Sequence, residues 1–288
     1  MIEHSEFLPT ATPFDGAGVL RFLATRVVGG IEYADGDSFA RTVRLAGGPA
    51  VLRLQFHPDG VQLAAWLSAD ADLPELRRLV TALCDLAADP AMIERRLLRV
   101  SQLEDLVRAT PGIRIPGSVD PAETAIRGLL GQQISLIGAT RAAELVREHG
   151  DPLPEALRES AKSFGLTALF PTSATIAAID PVRFAMPSSR QQALHTLALA
   201  LATGQVDLRS ADLEQTRESL LSLKGIGPWT AGYVLLRGCG HRDIWLDSDL
   251  VLRREAALRG VTAATLEPAL GVRSYASLLI WSAAAHRH

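Results

Sequence analysis

Apolar and polar residues alternate along the segment 38–69, whose sequence is SFARTVRLAGGPAVLRLQFHPDGVQLAAWLSA. In an extended chain Leu52, Leu54 and Phe56 fall on one face, because successive side chains of a strand point to opposite sides. Val51 belongs with the polar residues of the other face. The interruptions AGGP and HPDG are typical of tight turns. The pattern therefore predicts an antiparallel meander.

Helical patterns flank this meander on both sides. Segment 18–30 reads GVLRFLATRVVGG, and segment 73–90 reads LPELRRLVTALCDLAADP. Each has apolar residues at the three- and four-residue spacing of an amphipathic helix. We therefore expect residues 1–90 to form a small α+β domain in which helices cover one face of the sheet.

Strand patterns end near residue 90. The remaining segments are of helical length, and they are separated by the breaks TPGIRIPGSVDP, GDPLP, FPTSATIAAIDP and AMPSSR. Proline and glycine are the strongest local signals for such breaks. We therefore predict that the last two thirds of the chain form a helical bundle.

A glycine-rich turn separates two predicted helices in ESLLSLKGIGPWTAGYVLLRG, residues 218–238. The first helix is expected to end at Gly225 and the second to begin at Pro228, since proline suits a first helical position. Gly225 and Gly227 allow another surface to approach closely, and the free N–H groups that begin a helix favour a phosphate. Ile226 is expected to pack back between the helices. A tight helical hairpin that binds nothing would show the same pattern.

Two acidic residues precede the next predicted helix, in HRDIWLDSDLVLRREAALRG. Asp247, Ser248 or Asp249 is expected to cap this helix, and the helix dipole favours a carboxylate there. Capping alone explains one such acid. Two acids around a serine are more than a cap requires, but they do not establish catalysis.

The composition limits the chemistry that the chain can perform. Its net charge of −3 argues against a nucleic-acid partner, because basic surfaces gain most from counterion release, but a total charge does not report its distribution. Cys84 and Cys239 lie far apart in sequence with no companion ligands, so neither an iron–sulfur cluster nor structural zinc is expected. Lys162 and Lys224 are the only lysines.

The N-terminal sequence MIEHSEFLPTATPF has neither the basic start nor the apolar run of a signal peptide. The longest apolar stretch, near ALHTLALALA, is too short to span a bilayer. We therefore expect a cytoplasmic protein without a membrane partner.

The hairpin LKGIGPWTAGY followed by WLDSD resembles the helix-hairpin-helix superfamily of DNA base-excision glycosylases. IRIPGSVDPAETAIRGLLGQQIS, FPTSATIAAIDP, PSSRQQAL and RSYASLLIW are similar to stretches of the bacterial DNA-3-methyladenine glycosylase II family, and the meander is similar to that family's extra domain. The resemblance implies the α+β domain 1–90 followed by a two-part all-α glycosylase core. Residues 91–120 and 242–288 would form the part with the catalytic aspartate, and residues 121–241 the part with the hairpin.

The resemblance also implies which residues form the site. The family's catalytic aspartate falls on Asp249, which leaves Asp247 as the expected cap. Its base-pocket aromatics fall on Trp229 and Tyr233, which lie four residues apart and therefore share one face of a helix. Without the resemblance these two rings would be interpreted as core aromatics.

Two positions depart from the family pattern. The intercalating apolar side chain falls on Gln133 of GQQIS, and glutamine replaces apolar stacking with hydrogen bonding. Val272 stands where the family's best-known members carry a tryptophan, so the pocket is expected to be wider there and its substrate range is open.

In the superfamily's bifunctional members a lysine that forms a Schiff base occupies the position of Trp229. Neither Lys224 nor Lys162 matches that position. The resemblance therefore implies a monofunctional glycosylase that flips out alkylated purines such as 3-methyladenine and 7-methylguanine, excises them and leaves an abasic site. Asp249 would stabilise the oxocarbenium-like sugar and orient water, and the aromatic rings would stack on a cationic base.

Duplex DNA with damaged bases is the expected partner, bound by a monomer without regard to sequence. The hairpin turn Gly225–Gly227, with Ile226 at its centre, would contact phosphates through main-chain N–H groups. Arg253, Arg254 and Arg273 are candidates for further phosphate contacts, although each could equally form intramolecular pairs. A monovalent cation in this turn is common in the superfamily, and no cofactor is expected.

Three rival hypotheses remain at the level of the sequence. The hairpin could belong to a non-catalytic DNA-binding module, although such a module would not need Asp249, Trp229 and Tyr233 together. The protein could be a glycosylase with lyase activity or one for oxidised bases, in which case borohydride would trap a Schiff base. The N-terminal domain could also be an independent interaction module.

Overall fold

The N-terminal part of the protein is built on an antiparallel sheet. The computed structural model describes residues 1–285, and within them five strands pair in the order β1-β5-β4-β3-β2. The strands are β1 (Ile2–Pro9), β2 (Glu32–Ala34), β3 (Ser38–Leu45), β4 (Gly48–His57) and β5 (Gly60–Leu67). The pairing of β3 with β4 and of β4 with β5 confirms the predicted meander and both of its turns. Strands β1 and β2 were not predicted.

Helices cover one face of this sheet as predicted, and the other face is covered as well. Helices α1 (Gly16–Ala24) and α2 (Leu73–Cys84) share a hydrophobic core with the side chains of Leu52 and Leu54. Val51, which belongs to the opposite face, is also fully buried, because α7 (Glu155–Lys162) packs there. The sequence predicted the first covered face but not the second. The alternation in β4 gives no sign of a helix that lies a hundred residues away.

The rest of the described chain is helical, as predicted. Its remaining helices are α3 (Pro90–Leu97), α4 (Glu104–Ala109), α5 (Pro121–Leu130), α6 (Leu136–Arg147), α8 (Ser173–Ala178), α9 (Ser188–Ala202), α10 (Leu213–Leu221), α11 (Pro228–Tyr233), α12 (Leu250–Arg259) and α13 (Arg273–Ala285). Helix α11 continues directly into a π-helical turn, Val234–Gly238. The predicted α+β fold with a large helical part is thereby confirmed.

Two hydrophobic cores hold these helices together. One core unites α5, α6, α9 and α10 with the hairpin, and the other unites α3, α4, α12 and α13. Their residues correspond broadly to the segments 121–241 and to 91–120 with 242–288. We propose that these segments are the two parts of the helical core.

A buried cluster of charges joins the sheet to the helices. Arg41 on β3 donates to Glu32 on β2 at 3.0 Å and to Glu123 on α5 at 2.7 Å. Arg127 on α5 donates to the same two carboxylates, at 3.0 and 2.8 Å. Each charge therefore has two partners of opposite sign, which offsets the cost of removing it from water.

No helix within residues 1–285 combines the length and the apolar character needed to cross a bilayer. The same residues contain no group of three or more histidine, cysteine, aspartate or glutamate side chains arranged to hold a metal ion.

Candidate active site

The predicted hairpin lies between α10 and α11. Gly225 has a φ of 94°, and a Cβ built there would lie 2.5 Å from the Cβ of Ala193 on α9, so this glycine is required by its backbone and by packing. Ile226 is buried between the helices, as predicted. Gly227 has no heavy atom within 4 Å of the position of a Cβ, so it faces open space. Of the two glycines, Gly227 is therefore the one where an external surface could come close.

A residue that the sequence did not indicate fixes this turn. The side-chain amide of Gln132 donates to the carbonyl of Gly225 at 3.0 Å and to the hydroxyl of Thr230 at 2.6 Å. Arg190 on α9 in turn donates to the carbonyl of Gln132 at 2.8 Å. The loop after α5 is thus tied to the hairpin. The only signal in the sequence was the pair of glutamines in GQQIS, of which only Gln133 had been assigned a role.

The turn offers main-chain oxygens that suit a monovalent cation. The carbonyl of Gly225 accepts from Gln132, and that of Leu223 accepts from the N–H of Ile226 at 3.1 Å. A carbonyl oxygen has two lone pairs, so each keeps one free, and cations of this kind prefer such ligands. The residues therefore fit the cation that the resemblance implies, which stays a prediction.

Asp249 is the N-cap of α12, and both of its carboxylate oxygens accept hydrogen bonds. Oδ1 accepts from the N–H of Leu252 at 2.8 Å, and Oδ2 accepts from the indole Nε1 of Trp229 at 2.7 Å. The expectation that Asp247 is the cap was wrong, since Asp249 holds the N-cap position and Asp247 lies two residues before it, exposed. The carboxylate that caps the helix is the same one that meets the aromatic residue behind the hairpin.

Trp229 and Tyr233 lie on one face of α11, as their spacing predicts, and their rings stack on each other. Their ring centroids lie 5.3 Å apart, and the ring planes differ by 16°. Both rings line a cavity of about 230 Å³ between α1 of the N-terminal domain and helices α5, α6 and α11. A cavity with stacked aromatic side chains on its wall can accept a flat ring. Asp249 does not line this cavity itself, but it is hydrogen-bonded to one of the two rings.

Arginines surround the hydroxyl of Tyr233. Arg237 donates to this hydroxyl at 3.2 Å and also to the main-chain carbonyls of Pro116 and Gly117. Burial alone would raise the pKa of Tyr233. The charges of Arg237 and Arg26, and to a smaller extent that of Arg127, nevertheless hold this pKa below its ordinary value. The wall of the cavity is therefore electropositive.

Gln133 lies at the exposed tip of the loop between α5 and α6. Its φ of 55° is in the left-handed region, which is uncommon for a residue with a side chain. Ile134, Leu136 and Ile137 are exposed beside it. The tip is thus more apolar than Gln133 alone would make it, although its contact with DNA stays a prediction.

The predicted phosphate-binding arginines differ in their surroundings. Arg273 forms a two-pronged ion pair with Asp243, with N–O distances of 2.7 and 2.8 Å, which limits what it can offer to a phosphate. Arg253 and Arg254 are exposed on α12, and within the described residues neither forms an ion pair.

Val272 is fully buried in a helical core and does not line the cavity beside Trp229, so it cannot widen that cavity directly.

Lysine and cysteine are absent from this cavity in the described part of the chain. Lys224 is exposed on the other side of the hairpin turn from Trp229, and Lys162 is exposed on α7. Cys84 is buried and Cys239 partly buried, and burial raises the pKa of both thiols, that of Cys239 to about 11. Neither thiol is thus poised to act as a nucleophile.

Comparison with known proteins identifies the family. Residues 7–120 match the AlkA N-terminal domain. DNA-3-methyladenine glycosylase 2 of Escherichia coli (strain K12) is 32% identical over 285 residues, which covers 93% of this chain and 94% of that protein. The probable bifunctional transcriptional activator/DNA repair enzyme AlkA of Mycobacterium tuberculosis (strain H37Rv) is 36% identical over 289 residues. That match covers 97% of this chain but only 57% of the relative's length.

Solved structures share the fold at low sequence identity. The 3-methyladenine DNA-glycosylase from Archaeoglobus fulgidus has a TM-score of 0.79 at 17% identity and is matched over 98% of both chains. The 8-oxoguanine glycosylase/lyase of Clostridium acetobutylicum, in complex with double-stranded DNA, has a TM-score of 0.64 at 15% identity and is matched over 90% of this chain and 100% of its own. The fold, the hairpin and the sequence identity over nearly the whole E. coli protein together place this chain in the DNA-3-methyladenine glycosylase 2 family, also called AlkA.

Proposed function

We propose that the protein is a monofunctional DNA glycosylase that removes alkylated purines, such as 3-methyladenine and 7-methylguanine, from duplex DNA. The observation that carries this proposal is the hydrogen bond between Asp249 and the indole of Trp229, which places a carboxylate beside a stacked aromatic pair and its cavity. A DNA-binding hairpin with no catalytic role would not need this arrangement.

The hairpin and the neighbouring loop would bring the damaged base to this cavity. Main-chain N–H groups around Gly227 would hold a phosphate, and the loop tip at Gln133 would occupy the space that the base leaves in the duplex. Flipping out a base costs a few kcal/mol, and the cost is least for damaged pairs. Binding would be independent of sequence, and a monomer provides every group required.

Asp249 would then act on the sugar. A purine alkylated at N3 or N7 carries a positive charge, so it can depart as a neutral base when its bond to C1′ breaks. The departing base takes the bonding electrons, and a positive charge develops on the sugar. The carboxylate of Asp249 would stabilise this charge and accept a proton from the water that attacks C1′. Its hydrogen bonds to Trp229 and Leu252 would keep the carboxylate in one orientation.

The protein would leave the DNA strand intact. Strand cleavage by a glycosylase with lyase activity requires an amine that attacks the sugar. Among the described residues, the cavity beside Trp229 contains no lysine. We therefore expect an abasic site as the only product.

A single-turnover assay with Asp249→Asn tests the proposal. Asparagine caps a helix as well as aspartate does, so the variant should fold normally. We expect release of 3-methyladenine and 7-methylguanine from duplex DNA to fall at least about 100-fold, because the charge that stabilises the sugar is lost. The matched control is Asp247→Asn, an exposed position two residues earlier, which should retain wild-type rates.

Each other outcome of this assay excludes part of the proposal. Equal rates for wild type and Asp249→Asn would remove this carboxylate from the reaction. Strand breaks without alkali, or trapping by borohydride, would indicate a lyase. Binding of DNA by the wild type without release of any base would support the non-catalytic module.

A further inference from the structure

The cavity beside Trp229 carries an excess of positive charge. Within the described residues its wall contains the glutamates Glu32 and Glu123 and the arginines Arg26, Arg41, Arg127 and Arg237. Arg41 and Arg127 form ion pairs with both glutamates, as the buried cluster between sheet and helices. Two positive charges, those of Arg26 and Arg237, are then left without a carboxylate partner on this wall.

These two arginines lie against the ring of Phe22, beside the cavity, and close to Tyr233 on its wall. The guanidinium carbon of Arg26 lies 3.6 Å from the ring centroid of Phe22, and that of Arg237 lies 4.4 Å from the same centroid. Arg237 also lies 5.8 Å from the ring centroid of Tyr233. Burial lowers the pKa of Arg26 to about 10, which leaves it charged at neutral pH. A base next to Tyr233 would therefore meet positive charge that is already in place.

Such a wall affects the two kinds of damaged purine differently when each is compared with the same base stacked in the duplex. A cationic base, such as 7-methylguanine in DNA, is repelled when it enters the cavity and regains that energy as it leaves as a neutral molecule, so its overall rate changes little. A neutral base, such as hypoxanthine, gains negative charge as it leaves. Positive charge fixed beside a group that becomes negative in the transition state lowers the barrier.

We propose that Arg26, supported by Arg237, stabilises the negative charge on neutral purines as they depart and so sets the preference of the site between neutral and cationic lesions. This inference rests on the proposed glycosylase function. For hypoxanthine the bond between N9 and C1′ breaks, both electrons stay on the purine, and the oxygen of water bonds to C1′. A proton of that water passes to Asp249, and the purine anion later takes a proton from solvent.

Arg26 is the better of the two arginines for a test. Arg237 binds the main-chain carbonyls of Pro116 and Gly117, so its removal would disturb the backbone. The side chain of Arg26 donates through Nη1 to the carbonyl of Phe22 at 3.0 Å and to the hydroxyl of Thr25 at 2.9 Å, and it interacts with the hydroxyl of Tyr233. Its position comes from α1 and from Arg127, which donates to its main-chain carbonyl at 2.5 Å.

The experiment compares two lesions in the same duplex sequence under single-turnover conditions. One duplex contains hypoxanthine and the other 7-methylguanine. We expect Arg26→Met to lower the ratio of the hypoxanthine rate to the 7-methylguanine rate at least about tenfold, because methionine replaces the aliphatic stem but not the charged guanidinium. Arg26→Lys should restore most of the ratio. Arg21→Met, an exposed position on α1 five residues earlier, is the matched control and should leave both rates unchanged.

A purely structural role for Arg26 would lower both rates by the same factor and would not be rescued by lysine. That result, or an unchanged ratio in Arg26→Met, would overturn the inference while leaving the proposed function intact. If the wild type releases 7-methylguanine but no hypoxanthine, the inference is also overturned. Release of neither base by the wild type would overturn the proposed function, and this inference with it.

Discussion

At the scale of single residues, the structure places the cap of α12 on Asp249, whereas the sequence predicted it on Asp247. One carboxylate oxygen caps α12 and the other accepts from Trp229. A pattern of acids before a helix identifies the cap only to within a residue or two, because either aspartate of LDSD could reach the first turn. The resemblance to a family predicts a catalytic role for Asp249, whereas its capping role became evident only from the backbone.

The hydrogen bond from Trp229 to Asp249 leads to a prediction for Trp229→Phe. Phenylalanine keeps the stacking on Tyr233 but has no N–H to donate. A hydrogen bond to a charged group contributes about 1.5–3 kcal/mol, so we expect base release to fall roughly 10- to 150-fold, with DNA binding reduced much less. Single-turnover rates and binding titrations measure the two effects. Trp66→Phe, on the sheet, is the control.

An equal loss of binding and of rate in Trp229→Phe would contradict this prediction. It would indicate that the indole serves to hold the base and that the orientation of Asp249 depends on other contacts. Unchanged rates would show that the cap to Leu252 alone is enough to orient the carboxylate.

At the scale of elements, local sequence predicted those features that local chemistry determines. The meander, its turns and the hairpin around Ile226 all follow from spacing and from glycine and proline. Strand β1 escaped prediction because its pairing partner β5 lies some sixty residues away in sequence. The link from Gln132 to the hairpin was missed for the same reason, since nothing near this glutamine in the sequence indicates its partners Gly225 and Thr230.

The two glycines of the hairpin should respond differently to alanine. Gly225→Ala introduces a Cβ at a positive φ and against Ala193, so we expect it to destabilise the protein by about 2–4 kcal/mol. The Cβ of Gly227→Ala would point into open space, so this N-cap change should lower the free energy of unfolding by at most about 1 kcal/mol. It should nevertheless weaken DNA binding. Denaturant unfolding and binding titrations separate these effects. Equal losses of stability in both variants would contradict the assignment.

At the scale of the whole molecule, the N-terminal domain is part of the candidate site. Helix α1 supplies Leu23 and the loop after it supplies Arg26 to the wall of the cavity, and β2 and β3 supply Glu32 and Arg41. The sequence suggested an independent interaction module as one possibility for this domain. Sequence patterns could not show the shared cavity, because they carry no information on which segments of two domains meet.

The buried charge cluster should contribute strongly to stability, because it joins the sheet to the helices. Arg127→Met would leave Glu32 and Glu123 with a single arginine, and breaking a buried pair in this way costs about 3–5 kcal/mol. Arg108→Met, which breaks an exposed pair with Glu104, should cost less than about 1 kcal/mol. Denaturant unfolding measures both losses.

The position of Arg127 makes this loss informative about function as well. Arg127 also donates to the main-chain carbonyl of Arg26, so its removal should loosen the cavity wall on the side of the N-terminal domain. We therefore expect Arg127→Met to slow base release even at temperatures where it remains folded, whereas Arg108→Met should not. A variant that loses stability but keeps the wild-type rate would show that the cluster only joins the domains, and that the helical core holds the site in place by itself.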